Sequence, residues 1–401
     1  MTTIHNFLGK CPNCSNSSIT ELYGSYSSFC MPDDYAFLQP MLVICRYCNS
    51  LVWQEDIEDL SFIDDESDDI NNHQWWTEGS MQVYKDVLKD NQVNGKGLED
   101  KQKQHLEQLI ESREKLRKHH VLEDRATGCL YGLAHADISG GTSSMALLVF
   151  ESLIENNNIG KDKIDYDDIG KRYLEWYNNN ATDTGFVNAK VFDLVNEGAT
   201  FEEASKQADK ELHNMTASSR PACRSLPITV YLAGLYNRDP DKWQFSGSDK
   251  IFANFIDKET KLTHRHLHAS QISKAVNKIC LCLMSDLTLD ESIKEGGDYL
   301  TQKTRMNLGL TSKPKEVTKK DLKNTGYADD ALIAAIWFIR NTNSFDEAVK
   351  ESIKLKGKSN YCSVLVGAIG GALYGYSDIK DSLSKYNRFH SYHAAYLTPM
   401  L

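Results

Sequence analysis

From about residue 80 onward, apolar positions recur at mixed three- and four-residue spacing, the period of helices with one buried face. The spacing predicts helices over 143–155, 166–178, 200–212, 226–236, 270–286, 329–341, 345–355 and 362–375. A charge-rich segment, 98–120, adds another, with Leu106, Leu109, Ile110 and Leu116 as its apolar stripe. Alternating runs are nearly absent from this part, and no fixed repeat period marks it, so a solenoid is not expected. Ahead of residue 80 the pattern changes, and Leu42-Val43-Ile44 reads as a strand. The expected architecture is mostly all-α: a compact helical domain at 80–401, a small β-rich module at 1–54, and residues 55–79 as a linker or arm.

Composition sets outer bounds on this picture. Hydrophobic residues make up 41% and charged residues 25% of the 401 residues, which excludes wholesale disorder. No apolar run approaches the ~20 residues of a membrane helix, and the opening residues lack the apolar core of a secretory signal. A cytoplasmic protein with no membrane partner is expected. The net charge is −11, and its location matters more than its size. Glu55, Asp56, Glu58, Asp59, Asp64, Asp65, Glu66, Asp68 and Asp69 supply −9 of it with no intervening Lys or Arg, leaving −2 for the rest. A nearly neutral body carries no overall nucleic-acid footprint. The acidic stretch reads either as a solvated tether or as an arm that steers a basic partner.

Five of the 10 cysteines lie in the first 48 residues. Cys11-Pro-Asn-Cys14 and Cys45-Arg-Tyr-Cys48 form two C-x-x-C pairs, able to place four thiolates at the corners of a tetrahedron. A module this small cannot easily bury enough core to fold unaided, so a metal would supply stability. The pattern resembles a zinc ribbon with structural zinc on Cys11, Cys14, Cys45 and Cys48; redox activity of either pair is the alternative. Cys129, Cys223, Cys280, Cys282 and Cys362 sit in apolar segments, as reduced core cysteines do. His264, His266 and His268 form an H-x-H-x-H run, read as a solvated helix start capped by Thr263 or as a transition-metal site.

Three segments of the body carry a family resemblance. Arg125-Ala-Thr-Gly-Cys-Leu-Tyr-Gly-Leu-Ala-His-Ala-Asp137-Ile-Ser-Gly140 resembles the opening helix and turn of the ADP-ribosylglycohydrolase family. Thr325-Gly-Tyr-Ala-Asp-Asp-Ala-Leu-Ile-Ala-Ala-Ile-Trp-Phe-Ile-Arg340 and the following Ser344-Phe-Asp-Glu-Ala-Val349 are similar to its late helical pair. Gly357 through Gly375 resembles its closing metal loop and small-residue helix, whose glycines read as close helix packing rather than a phosphate cradle. Asp183-Thr-Gly185, Ala222-Cys-Arg-Ser-Leu-Pro227 and Thr263-His264 fall between them in the family's order. The resemblance covers roughly residues 120–380.

It implies an all-helical fold that binds ADP-ribose over two magnesium ions, held by an early acidic pair and a late Asp-x-Asp-Thr. This sequence departs at those positions. Gly141 and Thr142 stand where the early pair should be, Lys358 and Asn360 replace the late aspartates, and Tyr361 replaces the threonine. A lysine ~4 Å from a dication, at an effective dielectric of ~20, costs about 4 kcal/mol per unit-charge pair. Magnesium is therefore not expected in the helical domain. The resemblance then implies recognition of ADP-ribose, of an ADP-ribosylated protein or of an ADP-ribosyltransferase toxin, with Thr142, Ser143, His264, Ser359 and Tyr361 as ligand-binding positions. The enzyme alternative is a divergent hydrolase that works without the two metals and uses Asp137 or Asp183 as acid/base. A third reading makes the ribbon the binding module and the body its scaffold.

Overall fold

The computed structural model describes residues 4–10, 12–14, 17–23, 42–45, 51–53, 58–63, 85–93, 96–98, 100–155, 164–238, 250–355, 357 and 361–383. The chain divides into two units, Met1–Arg117 and Lys118–Leu401.

In the first unit, β1 (Ile4–Lys10), β2 (Ser17–Tyr23), β3 (Leu42–Cys45), β4 (Leu51–Trp53) and β5 (Glu58–Ile63) form an antiparallel sheet in the order β4-β3-β2-β1-β5. β1 and β2 make a hairpin in continuous register from Ile4↔Tyr23 to Lys10↔Ser17. The predicted strand at Leu42-Val43-Ile44 lies within β3. β5 corrects the expected linker boundary, because Phe62 and Ser61 pair with Phe7 and Leu8. Its sequence alternates Glu58, Leu60 and Phe62 with Asp59, Ser61 and Ile63, a period-two pattern that the dense carboxylates conceal. The acidic stretch from residue 64 lies outside the described residues. Cys14 sits half-buried in the turn after β1, and Cys45 ends β3. Cys11 and Cys48 lie outside the described residues, and with them the geometry of the expected metal centre. A two-residue pairing of β6 (Gln92–Val93) with β7 (Lys96–Gly97) precedes α1 (Asp100–Ala136).

The second unit is helical. It holds the end of α1, then α2 (Gly141–Glu155), α3 (Tyr166–Asn178), α4 (Phe186–Asn196), α5 (Phe201–Glu211), α6 (Arg220–Arg224), α7 (Leu226–Arg238) and α8 (Lys250–Thr260). α9 (Leu267–Met284), α10 (Leu289–Gly296), α11 (Gln302–Asn307), α12 (Ala328–Arg340), α13 (Phe345–Ile353), α14 (Tyr361–Tyr374) and α15 (Tyr376–Ile379) complete it. The eight helices predicted between 143 and 375 all form, each to within a turn. Their starts have local causes. Thr200 and Thr288 make reciprocal capping boxes with Glu203 and Glu291, and Ser344 accepts the Glu347 amide.

The core gathers around α9 and α14, whose central residues are buried on all sides, which only an all-round apolar helix tolerates. α14 packs backbone to backbone against α1. A Cβ on Gly128 or Gly132 would collide with the carbonyl of Gly371 or Gly367, and the reverse substitutions would collide with Gly128 and Gly132. Close packing is therefore what these glycines do. Among the described residues no single helix is long and apolar enough to cross a membrane.

Candidate functional site

Five segments converge at the head of α2. α1 ends at Ala136, and Asp137 follows with its amide still bonded to the Leu133 carbonyl. The buried Asp137 carboxylate turns back on the chain: Oδ2 accepts the Ser143 amide at 2.7 Å, satisfying a donor at the start of α2. Ser139 Oγ bridges two carboxylates, 3.2 Å from Asp137 Oδ1 and 2.6 Å from Asp183 Oδ2. Asp183 lies in the turn before α4, with a left-handed φ of 47°.

Arg220, the first residue of α6, closes the arrangement. Its Nη2 is 3.0 Å from Asp183 Oδ2 and its Nη1 donates to the Asp183 carbonyl at 2.8 Å. Nε and Nη2 donate to Tyr361 Oη at 3.3 and 3.2 Å, and the guanidinium carbon lies 5.2 Å from that ring's centroid. Burial pulls the Arg220 pKa down, but Tyr361 and Asp183 outweigh it and hold the group above its ordinary value. Gly141 completes the fit, since a Cβ there would strike the Asp183 carbonyl and come within 2.9 Å of Arg220 Nη1.

One turn further along α6, Arg224 enters a separate network. Its Nε meets Glu259 Oε1 at 2.7 Å, Tyr173 Oη donates to the same oxygen at 2.8 Å, and both charged side chains are fully buried. Burial raises the Glu259 pKa despite these partners. His264 is buried as well, with Nδ1 2.7 Å from Thr263 Oγ1. Burial first, then Arg224 and Arg220, push its pKa well below the ordinary value, so the ring is neutral.

The histidine run is thus not a solvated helix start. The cap of α9 is His266 rather than Thr263, its Nδ1 accepting the His268 amide, while His268 Nδ1 lies 2.6 Å from Asp329 Oδ2. The three rings serve three different partners. Among the described residues no group of three or more His, Cys, Asp or Glu side chains is placed to hold a metal ion.

Of the expected site residues, Asp137, Gly141, Thr142, Ser143, Asp183 and Tyr361 come together. Ser143 Oγ is bound to the Gly140 carbonyl, and Thr142 is buried with its hydroxyl oxygen unpartnered. Lys358, Ser359 and Asn360 lie outside the described residues; Gly357, just before them, packs against Asn324. Arg220 and Ser139 were not read from the sequence. An arginine after two serines looks solvated, and its partners lie 37 and 141 residues away.

The model of the ADP-ribosylglycohydrolase family matches residues 141–394, well over half of the chain. The chain belongs to the ADP-ribosylglycohydrolase family. Two curated relatives bear the name ADP-ribosylarginine hydrolase Tri1. The protein from Serratia proteamaculans (strain 568) is 23% identical over 287 residues, covering 64% of this chain and 73% of its own. That from Pseudomonas putida (strain GB-1) is 22% identical over 290 residues, covering 63% and 71%. A solved ADP-ribosylglycohydrolase-related protein complex contains a chain that aligns with a TM-score of 0.50 at 19% identity, over 70% of this chain and 97% of that one. This is a likeness of fold.

The described residues of this site offer few oxygen ligands to a magnesium pair. Two adjacent magnesium ions need several free carboxylate oxygens. Gly141, Thr142 and Tyr361 offer hydroxyls at most, both Asp137 oxygens have partners on the chain, and Asp183 is paired with a guanidinium.

Proposed function

We propose that this family member recognises ADP-ribosyl groups without the two-magnesium hydrolysis that the family resemblance implies. The observation that carries the reading is the head of α2. Position 141 has no carboxylate and no room for one, because its Cβ direction is filled by Asp183 and Arg220. The names of the relatives point to arginine-linked ADP-ribose as the adduct, on a modified protein or on an ADP-ribosyltransferase toxin that the chain restrains.

The test is release of ADP-ribose from an arginine-modified protein, with and without a chelator. No release in either condition, together with binding of the modified protein, is the expected result. Robust magnesium-dependent release would sink the proposal. Chelator-insensitive release that Asp137→Asn abolishes would replace it with a divergent hydrolase.

A further inference from the structure

Arg220 is buried at 2% exposure, and among the described residues its guanidinium bonds to Asp183 and Tyr361. The space it fills is kept for it: a Cβ at Gly185 would come within 3.4 Å of Nε and Nη2, and one at Gly141 within 2.9 Å of Nη1. A guanidinium is planar, stays charged at any physiological pH, and needs no metal to supply positive charge. A divalent ion at the same place would meet it at close range and be repelled.

Asp183 shows what this cation holds. Both of its side-chain bonds run to one oxygen, Oδ2, which accepts from Arg220 Nη2 and Ser139 Oγ. Oδ1 accepts no hydrogen bond from the described residues, although the side chain is 32% exposed. The residue also keeps a left-handed φ of 47°, a conformation uncommon outside glycine that marks sites where surroundings dictate the backbone. A carboxylate fixed through one oxygen presents the other as a preorganised acceptor, and vicinal hydroxyls are its natural donors.

We propose that Arg220 is the resident cation of this site, standing in place of divalent metal, and that it pins Asp183 so that Oδ1 receives the vicinal hydroxyls of a ribosyl group. The sugar half of this proposal rests on the ADP-ribosyl reading; the cation half does not.

Calorimetry on the full chain separates them. Wild-type protein binds ADP-ribose equally in chelator and in millimolar magnesium, and magnesium alone leaves its thermal unfolding unshifted. Asp183→Asn retains an oxygen for Arg220 and Ser139 but turns an amide nitrogen outward. It weakens ADP-ribose binding at least about tenfold while leaving ADP, which lacks the terminal ribose, unchanged. Arg220→Gln shows the same selective loss. Magnesium-dependent binding by the wild type, or equal loss of ADP and ADP-ribose by Asp183→Asn, overturns the proposal. If neither nucleotide binds wild-type protein, the ADP-ribosyl reading and the sugar half fall together. The thermal unfolding of wild-type protein then decides the cation half: a transition unmoved by magnesium upholds that half, and a magnesium-dependent rise overturns it.

Discussion

Arg220 and Arg224 stand at the two ends of the five-residue α6, and both are buried, yet their counter-charges differ. Arg224 faces Glu259, a carboxylate with no exposure at all, whose Oε1 accepts from Arg224 and Tyr173 while Oε2 is buried without a hydrogen-bond partner. Arg220 faces Asp183, which is one-third exposed and bonded through a single oxygen. The first pair is sealed, and the second opens at one end. A sealed ion pair can recover its desolvation cost only through internal partners, and removing one member strands the other as a buried charge. An open pair keeps acceptor capacity that a ligand can use. Two arginines of the same helix therefore differ in setting, one closed off from water and the other paired with a carboxylate that water still reaches.

The largest expected effect comes from breaking the sealed pair. Glu259→Gln removes the charge opposite Arg224 and leaves that guanidinium uncompensated, at a cost of ~3–5 kcal/mol. Urea unfolding of the variant checks this. Replacing both partners, Arg224→Met with Glu259→Leu, should recover most of the loss, since no charge is then stranded. A Glu259→Gln protein as stable as wild type would erase the distinction between the two pairs.

The open pair should respond more weakly. Asp183→Asn is expected to lower unfolding free energy by no more than ~1 kcal/mol, because water already screens that carboxylate. If unfolding in urea showed a loss as large as that of Glu259→Gln, Asp183 would belong with the structural network.

A third effect is one of pH. His264 lies beside both arginines, and its folded-state pKa is well below the ordinary 6.5. The unfolded chain takes up a proton near that value and the folded chain does not. The stabilisation is therefore complete above about pH 6.5 and declines as pH falls below it, by at most ~1.4 kcal/mol per pH unit. Glu259 acts in the opposite sense: its raised pKa lets the folded chain hold a proton above 4.5, so its contribution weakens as pH rises through that range. Comparing His264→Gln with wild type between pH 7 and 5 isolates the histidine, and the variant should lose less stability on acidification.

How much of this was visible in the sequence depended on the range of the cause. The helices were legible because apolar period is local, and Gly367 and Gly371 betrayed close packing through their own spacing. β5 was not, since Glu58 and Asp59 hid the alternation of Leu60 and Phe62 behind charge. The residues at Gly141, Thr142 and Tyr361, set against the family motifs, are what the expectation of a site without magnesium rests on. Arg220 was missed because nothing near Ser218-Ser219-Arg220-Pro221 announces burial; its place is fixed by Asp183 and Tyr361, which only the folded chain brings to it. The histidine run misled for the same reason, as Asp329, the partner of His268, lies 61 residues further on.

The glycine contact between α1 and α14 also has a meaning in time. Gly128 and Gly132 are synthesised more than half a chain length before Gly367 and Gly371, the residues they touch. At ribosomal rates of ~5–20 residues per second, the first pair waits on the order of tens of seconds for the second. Through that interval the face of α1 that carries Gly128, Gly132 and Ala136 lacks the α14 backbone it packs against. The α1–α14 contact is thus completed only after α14 leaves the ribosome, so this part of the core forms late in translation.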